Sequence, residues 1–244
     1  MVFLWVKDFY PQISWISQIE ICSICEIFDS FVMLWQTLSL PWQTAVSLAW
    51  ESYCAGSLPI GAVIVAEDAR IVAQGRNSIH ETESASPLQG SRLAHAEMNA
   101  LVALSRSGIA AERCTLYSTM EPCVMCMGAI RMMRIGAVHF AGYDPFGGGA
   151  YLVGTPAYQT FGPLPVTPFE NETLADLLLV LMVEAMLRTG RSSWVDFVGT
   201  AVPQTNPIIE LGQQLFTTGE LWQLAQQTML TEAMLTWLEK RLIC

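Results

Sequence analysis

The chain has 244 residues, 52 % of them hydrophobic and 14 % charged; this composition supports a buried core without disulfide staples and excludes a disordered chain. Twenty-two acidic side chains against twelve basic ones give a formal charge of −10, which disfavours a protein whose main work is gripping nucleic-acid phosphates, since that grip comes from Lys and Arg. The deficit sits in the flanks: residues 59–140 hold seven basic and seven acidic side chains, residues 1–58 hold one and five, and residues 141–244 hold four and ten.

The first 36 residues are rich in Trp, Ile and Phe but are interrupted by Lys7, Asp8, Glu20, Glu26 and Asp29. No window offers the ~18 uncharged apolar residues of a spanning helix, and the basic start and cleavage site of a signal peptide are missing. The expectation is a cytoplasmic protein in which residues 1–35 form an apolar N-terminal arm, or in which Met33 is the true start and the preceding residues are an extension. Seven cysteines include two C-x-x-C spacings, Cys22/Cys25 and Cys123/Cys126. Without a secretory signal, such spacing points to metal or redox chemistry before disulfides. Cys22/Cys25 has no His or second pair nearby and reads as buried thiols.

From Trp42 the pattern is helical, with Trp42, Ala45, Val46, Ala49, Trp50 and Tyr53 on one face; Gly56 and Pro59 stop it. Ile60 to Val65 reads as a buried strand, Glu67-Asp68 as a turn, and Arg70 to Gly75 as the partner strand. Ser78 to Arg92 is polar and aperiodic, a long surface loop with the character of a lid. A helix is expected from Ala94 to Ser105, a strand over Cys114–Ser118, a helix opened by Pro122 and running to Arg134, and a strand over Ala137–Phe140. This alternation implies a sheet covered by helices. Residues 150–170 carry four prolines and read as a linker, after which Leu174–Leu187 and Glu220–Leu242 are strong helical patterns. The expected organisation is an arm (1–35), a catalytic domain (36–155), and a linker with a helical C-terminal extension (156–244).

The informative constellation is His95-Ala96-Glu97 followed by Pro122-Cys123-Val124-Met125-Cys126. A lone His is more often structural, and a lone C-x-x-C can be a redox pair or two buried thiols. Together, one imidazole and two thiolates make three ligands that zinc accepts, leaving a fourth position for water, and Glu97 supplies a carboxylate for proton transfer. His95 and Glu97 fall in the first turn of one expected helix, and Cys123 and Cys126 in that of another. Helix N-termini carry positive partial charge, which favours thiolates.

These segments, with Pro59 to Val65, Gly75-Arg76-Asn77 and Glu121 to Ile130, stand in an order that resembles the zinc-dependent cytidine deaminase-like superfamily over about residues 36–150. Within it the chain is most similar to the branch of tRNA adenosine deaminases and guanine deaminases. The resemblance implies a three-layer α/β/α fold with a mixed central sheet, here with a C-terminal helical extension. It implies Zn2+ on His95, Cys123 and Cys126, with Glu97, not a ligand, moving protons during hydrolytic deamination. Asn77 matches a position that hydrogen-bonds the base; the backbone at Gly61 and Ala62 lines the pocket, and Asp144 lies where relatives contact substrate. Simple turn roles are the alternatives for Asn77 and Asp144, and His139 reads as structural. The loop from Asn77 to His95 is longer than usual for the family, and the acidic C-terminal region has no counterpart in its short members.

The leading expectation is therefore a zinc hydrolase acting on a small-molecule nucleobase or nucleoside, with no membrane partner, assembled as a homodimer. The second is a tRNA adenosine deaminase, opposed by the charge balance unless Arg76, Arg92, Arg131 and Arg134 make a local basic surface. The third is a non-catalytic zinc-binding interaction module, opposed by the presence of Glu97.

Overall fold

The computed structural model describes residues 34–82, 86–227 and 230–243. The expected arm falls outside these residues apart from Leu34 and Trp35, and so do Cys22 and Cys25. Helix α1 (Leu40–Cys54) buries the whole face expected of it, from Trp42 to Tyr53, and has a proline in its first turn. Strands β1 (Gly61–Ala66) and β2 (Ile71–Arg76) form the expected hairpin. Helix α2 (Ala96–Ser105), β3 (Cys114–Met120), α3 (Val124–Met132) and β4 (Ala137–Gly142) follow in the order read from the sequence.

The expected linker contains more than coil. It holds a short helix α4 (Pro156–Gln159) and a fifth strand, β5 (Val166–Pro168), parallel to β4. Three residues beside prolines are too few to show a period of two, so this strand is invisible to pattern reading. Phe169 N donates to Phe140 O at 2.7 Å just beyond it, and the Phe169 ring stacks on Trp42 of α1, centroids 4.6 Å apart.

The sheet order is β2-β1-β3-β4-β5, antiparallel at β2/β1 and β1/β3 and parallel from β3 onward, a mixed sheet as expected. Its two faces carry separate cores. Ala62, Ile64, Leu116 and Val138 pack with Leu101 and Leu104 of α2 and Met127 and Ile130 of α3. Val63 and Val65 pack with Ala45 and Leu48 of α1. β1 is therefore buried on both sides, which explains its unbroken apolar run. Gly61 makes the α1 contact sterically feasible, because a Cβ there would lie 2.0 Å from Ala45 O.

The C-terminal region is helical: α5 (Glu172–Arg188), α6 (Ser192–Ala201), α7 (Asn206–Thr218), α8 (Glu220–Ala225) and α9 (Thr231–Ile243). Asn171 caps α5 by accepting from Leu174 N at 2.9 Å. Leu174, Leu177, Leu178, Val180, Leu181 and Val183 are all buried, so α5 is buried over most of its circumference and is central to this region. It also packs on β4, and Leu38–Cys244 forms one compact unit. The single helix expected over Glu220–Leu242 is instead divided. Ala225 and Met234 are both buried, but nine residues are about two and a half turns and would put them on opposite sides of one helix. Two helices let both face inward. Among the described residues no helix is long and apolar enough to cross a membrane.

Candidate metal centre and active site

Two helix starts converge on one point. His95 is the N-cap of α2 and Cys123 the N-cap of α3, and neither side chain caps its own helix. Both are thereby directed elsewhere. Cys126 follows in the first turn of α3. His95 Nδ1 stands 3.6 Å from both Cys123 Sγ and Cys126 Sγ, and the three ligand atoms lie within 4.8 Å of one another. A tetrahedral zinc at about 2.3 Å from sulfur and about 2.0–2.1 Å from nitrogen sets the N···S edge at about 3.6 Å. The donor set and its spacing therefore fit zinc. The group is the one such cluster of His, Cys, Asp and Glu among the described residues.

The electrostatics suit a cation. The Cys126 thiol beside Cys123, together with His95, brings the Cys123 thiol down to about 4. Cys126 is pushed up, because it donates to Cys123 and is buried. The contact with Cys123 holds His95 above the ordinary imidazole range.

Glu97, in the first turn of α2, is 3 % exposed, and burial pushes its carboxyl up. Its Oε2 lies 3.5 Å from Cys126 Sγ, and Ser118 Oγ donates to its Oε1 at 3.2 Å. Ser118 had no signal in the sequence: it faces Glu97 only because β3 pairs with β1 and α2 packs across both.

Asn77 closes another side. It is fully buried, and the next residue, Ser78, donates its N–H to Ala94 O at 2.9 Å, beside His95. Asn77 O accepts from Ser52 Oγ at 2.6 Å and its Oδ1 accepts from Ile79 N at 3.2 Å. Its Nδ2 is buried with no partner, a state that asks for a ligand acceptor. The turn contact thus uses Oδ1 and leaves Nδ2 unpaired. Ala62 lies on the α2 side of the sheet, paired with Ser118, whereas Gly61 abuts α1 and donates its N–H to Thr119 Oγ1 at 3.1 Å.

Asp144 is committed to its own loop, its Oδ1 accepting from Phe146 N at 3.0 Å and Gly147 N at 3.1 Å. Glu121, just ahead of the cysteine pair, belongs to the motif, but the sequence assigned it no role. Its carboxylate accepts from Asp144 N at 3.2 Å and Ala150 N at 2.9 Å. Gly148 bridges to Cys123 under that carboxylate, where a Cβ would fall 2.4 Å from Glu121 Oε2. His139 lies on β4 with its ring stacked on Tyr117, 5.1 Å between centroids.

Of the four arginines that could make a local basic surface, Arg92 and Arg134 are exposed and Arg76 and Arg131 are not. Arg76 pairs with the Glu81 carboxylate, Arg131 is buried, and Arg134 lies 3.6 Å from Glu112.

The family model for the cytidine and deoxycytidylate deaminase zinc-binding region matches residues 37–142. The chain is 38 % identical over 89 residues to a cytosine deaminase of Candida albicans, covering 36 % of this chain and 55 % of that one. It is 41 % identical over 100 residues to a guanine deaminase of Bacillus subtilis, covering 40 % and 59 %. It is 34 % identical over 113 residues to a tRNA-specific adenosine deaminase of Aquifex aeolicus, covering 46 % and 70 %. The chain thus spans little more than half the length of the first two.

Proposed function

Since the chain belongs to the zinc-binding cytidine and deoxycytidylate deaminase family, we propose that it hydrolyses the exocyclic amine of a purine or pyrimidine base or nucleoside, releasing ammonia. The observation that carries this reading is a buried, unligated carboxylate, Glu97, beside three ligand atoms at tetrahedral spacing. His95 Nδ1, Cys123 Sγ and Cys126 Sγ are the zinc ligands. When bound, the ion supplies Lewis acidity that lowers the pKa of water at its fourth position.

Glu97 takes a proton from the attacking water and passes it to the ring nitrogen beside the attacked carbon. It then takes the second water proton, from the hydroxyl now on that carbon, and gives it to the amine; the C–N bond breaks, ammonia departs and the carbon keeps the oxygen as a ring carbonyl. Burial suits this role, because a carboxyl held above its ordinary range takes up a proton more readily than an exposed one. Asn77 Nδ2 donates to an acceptor on the base, and the backbone near Gly61 and Ala62 lines the pocket. Asp144, on the loop that Glu121 holds through the Asp144 N–H, contacts the substrate.

The test is zinc analysis combined with ammonia release from cytosine, adenine, guanine and their nucleosides. One zinc per chain and turnover of at least one substrate are expected. Zinc without release from any of them, or from tRNA, sinks the enzyme reading in favour of a zinc-holding interaction module.

Adenosine in tRNA is the second reading, favoured by the similarity to the Aquifex aeolicus protein and opposed by the formal charge of −10 and the paired or buried arginines. A tRNA gel shift that weakens steeply with salt would favour it.

Three further assignments belong to the same reading. Residues 36–155 are the catalytic domain, and 156–244 complete its sheet with β5 and append a helical region. The protein works in the cytoplasm, where ligating thiols stay reduced. It forms a homodimer through the outer face of α3, on which Val124 and Met132 are 52 % and 72 % exposed and stand two turns apart. A monomer in sedimentation at micromolar concentration would remove that last assignment.

A further inference from the structure

The far end of α3 carries a second cluster that the deamination chemistry does not use. Arg131 is 7 % exposed, and among the described residues no carboxylate pairs with it. Its Nη2 donates to Tyr158 O at 3.3 Å and to Gly162 O, while its Nε is buried with no partner. The Phe161 ring lies 5.6 Å from its Cζ. Tyr158 Oη is a second buried polar atom without a partner. The bond from Arg131 Nη2 to the Tyr158 carbonyl holds the two residues side by side.

Both residues line one cavity of about 480 Å³, whose other walls include Val153, Leu164 and Pro165. A guanidinium has five N–H donors and no acceptor, and its charge cannot be titrated away at ordinary pH. Two backbone carbonyls bring partial charge only. An uncompensated buried cation is costly, and unmet buried donors are rare in native proteins. The unmet groups here comprise a cation and a hydroxyl, so the missing partner is rich in acceptors and negatively charged. The volume admits a phosphate or a small carboxylate.

We propose that the Arg131–Tyr158 cavity is a binding site for a small oxyanion, separate from the metal centre. The guanidinium supplies the counter-charge and Tyr158 Oη a hydrogen bond. This site stands whether or not the chain deaminates a base.

The test is calorimetric titration of the zinc-loaded protein with inorganic phosphate and, separately, with succinate, at constant ionic strength in chloride. A saturable heat with at least one of them is expected, accompanied by a concentration-dependent rise in Tm. The two arms separate a phosphate site from a carboxylate site. Tyr158→Phe leaves the backbone carbonyls to Arg131 and should weaken binding about tenfold, the loss of one hydrogen bond to a charged group. Arg131→Gln should abolish binding; because it also removes contacts that brace the 158–162 turn, Tyr158→Phe is the deciding variant. No saturable heat with either anion up to about 10 mM, the weak end of specific affinity, overturns the proposal. So does an affinity that Tyr158→Phe leaves unchanged.

Discussion

Ser118 Oγ donates a hydrogen bond to Glu97 Oε1 at 3.2 Å, and both side chains are buried, 0 % and 3 % exposed. The contact fixes one carboxylate oxygen on β3 and leaves the other, Oε2, 3.5 Å from Cys126 Sγ. A carboxylate that must move protons without ligating a metal needs such a tether, because its own side chain has three rotatable bonds.

Glu97→Gln keeps the shape and removes the proton shuttle. Ammonia release should fall by about 10²–10⁴-fold, the usual share of general acid–base catalysis, while metal analysis still finds zinc. Normal turnover by this variant would show that another group moves the proton.

Ser118→Ala should lower kcat about tenfold with KM nearly unchanged, since it frees the carboxylate without touching the base. Ser118→Thr restores the hydroxyl and should recover most of the loss. Equal losses in both variants would mean that the position matters for packing and not for holding Glu97.

Glu121→Ala removes the acceptor of the Asp144 and Ala150 N–H groups. The loss should cost about 2 kcal/mol of stability, in the range for hydrogen bonds to a charged group. It should also raise KM, because residues 144–150 border the cysteine pair through Gly148. Chemical denaturation and steady-state kinetics check the two halves; unchanged values in both would show that the loop holds itself.

Glu239, on α9, is 7 % exposed, and burial pushes its carboxyl from an ordinary 4.5 up to about 7. A raised acid pKa means that the native state holds the proton more tightly than the unfolded one. The stabilisation is therefore complete below pH ~4.5 and is lost as pH rises through about 7, at most about 3 kcal/mol. Glu239→Gln should flatten that part of the stability profile and raise Tm at about pH 8. Superimposable Tm–pH curves for the two proteins would refute the assignment.

The metal ligands were legible because their geometry is local. Cys123 and Cys126 share a helix start through their spacing alone, and His95 and Glu97 are likewise two residues apart on another. Asn77 stood out only through its motif; that its Oδ1 accepts in a turn while its Nδ2 has no partner belongs to the folded state. The fate of the arginines was not legible. Arg76, Arg131 and Arg134 look alike in the sequence, yet one meets Glu81, one is buried against the carbonyls of Tyr158 and Gly162 and one approaches Glu112.

The order of residue types along this chain determined the helices and strands of residues 40–142 and put the thiols and the imidazole at helix starts, because periodicity and capping act over a few residues. Only the tertiary structure decided that β5 would complete the sheet, that the last helical pattern would divide, and that Ser118 and Glu121 would hold the site. Those outcomes depend on contacts between segments far apart in the chain, where burial and hydrogen-bond satisfaction outweigh any local preference.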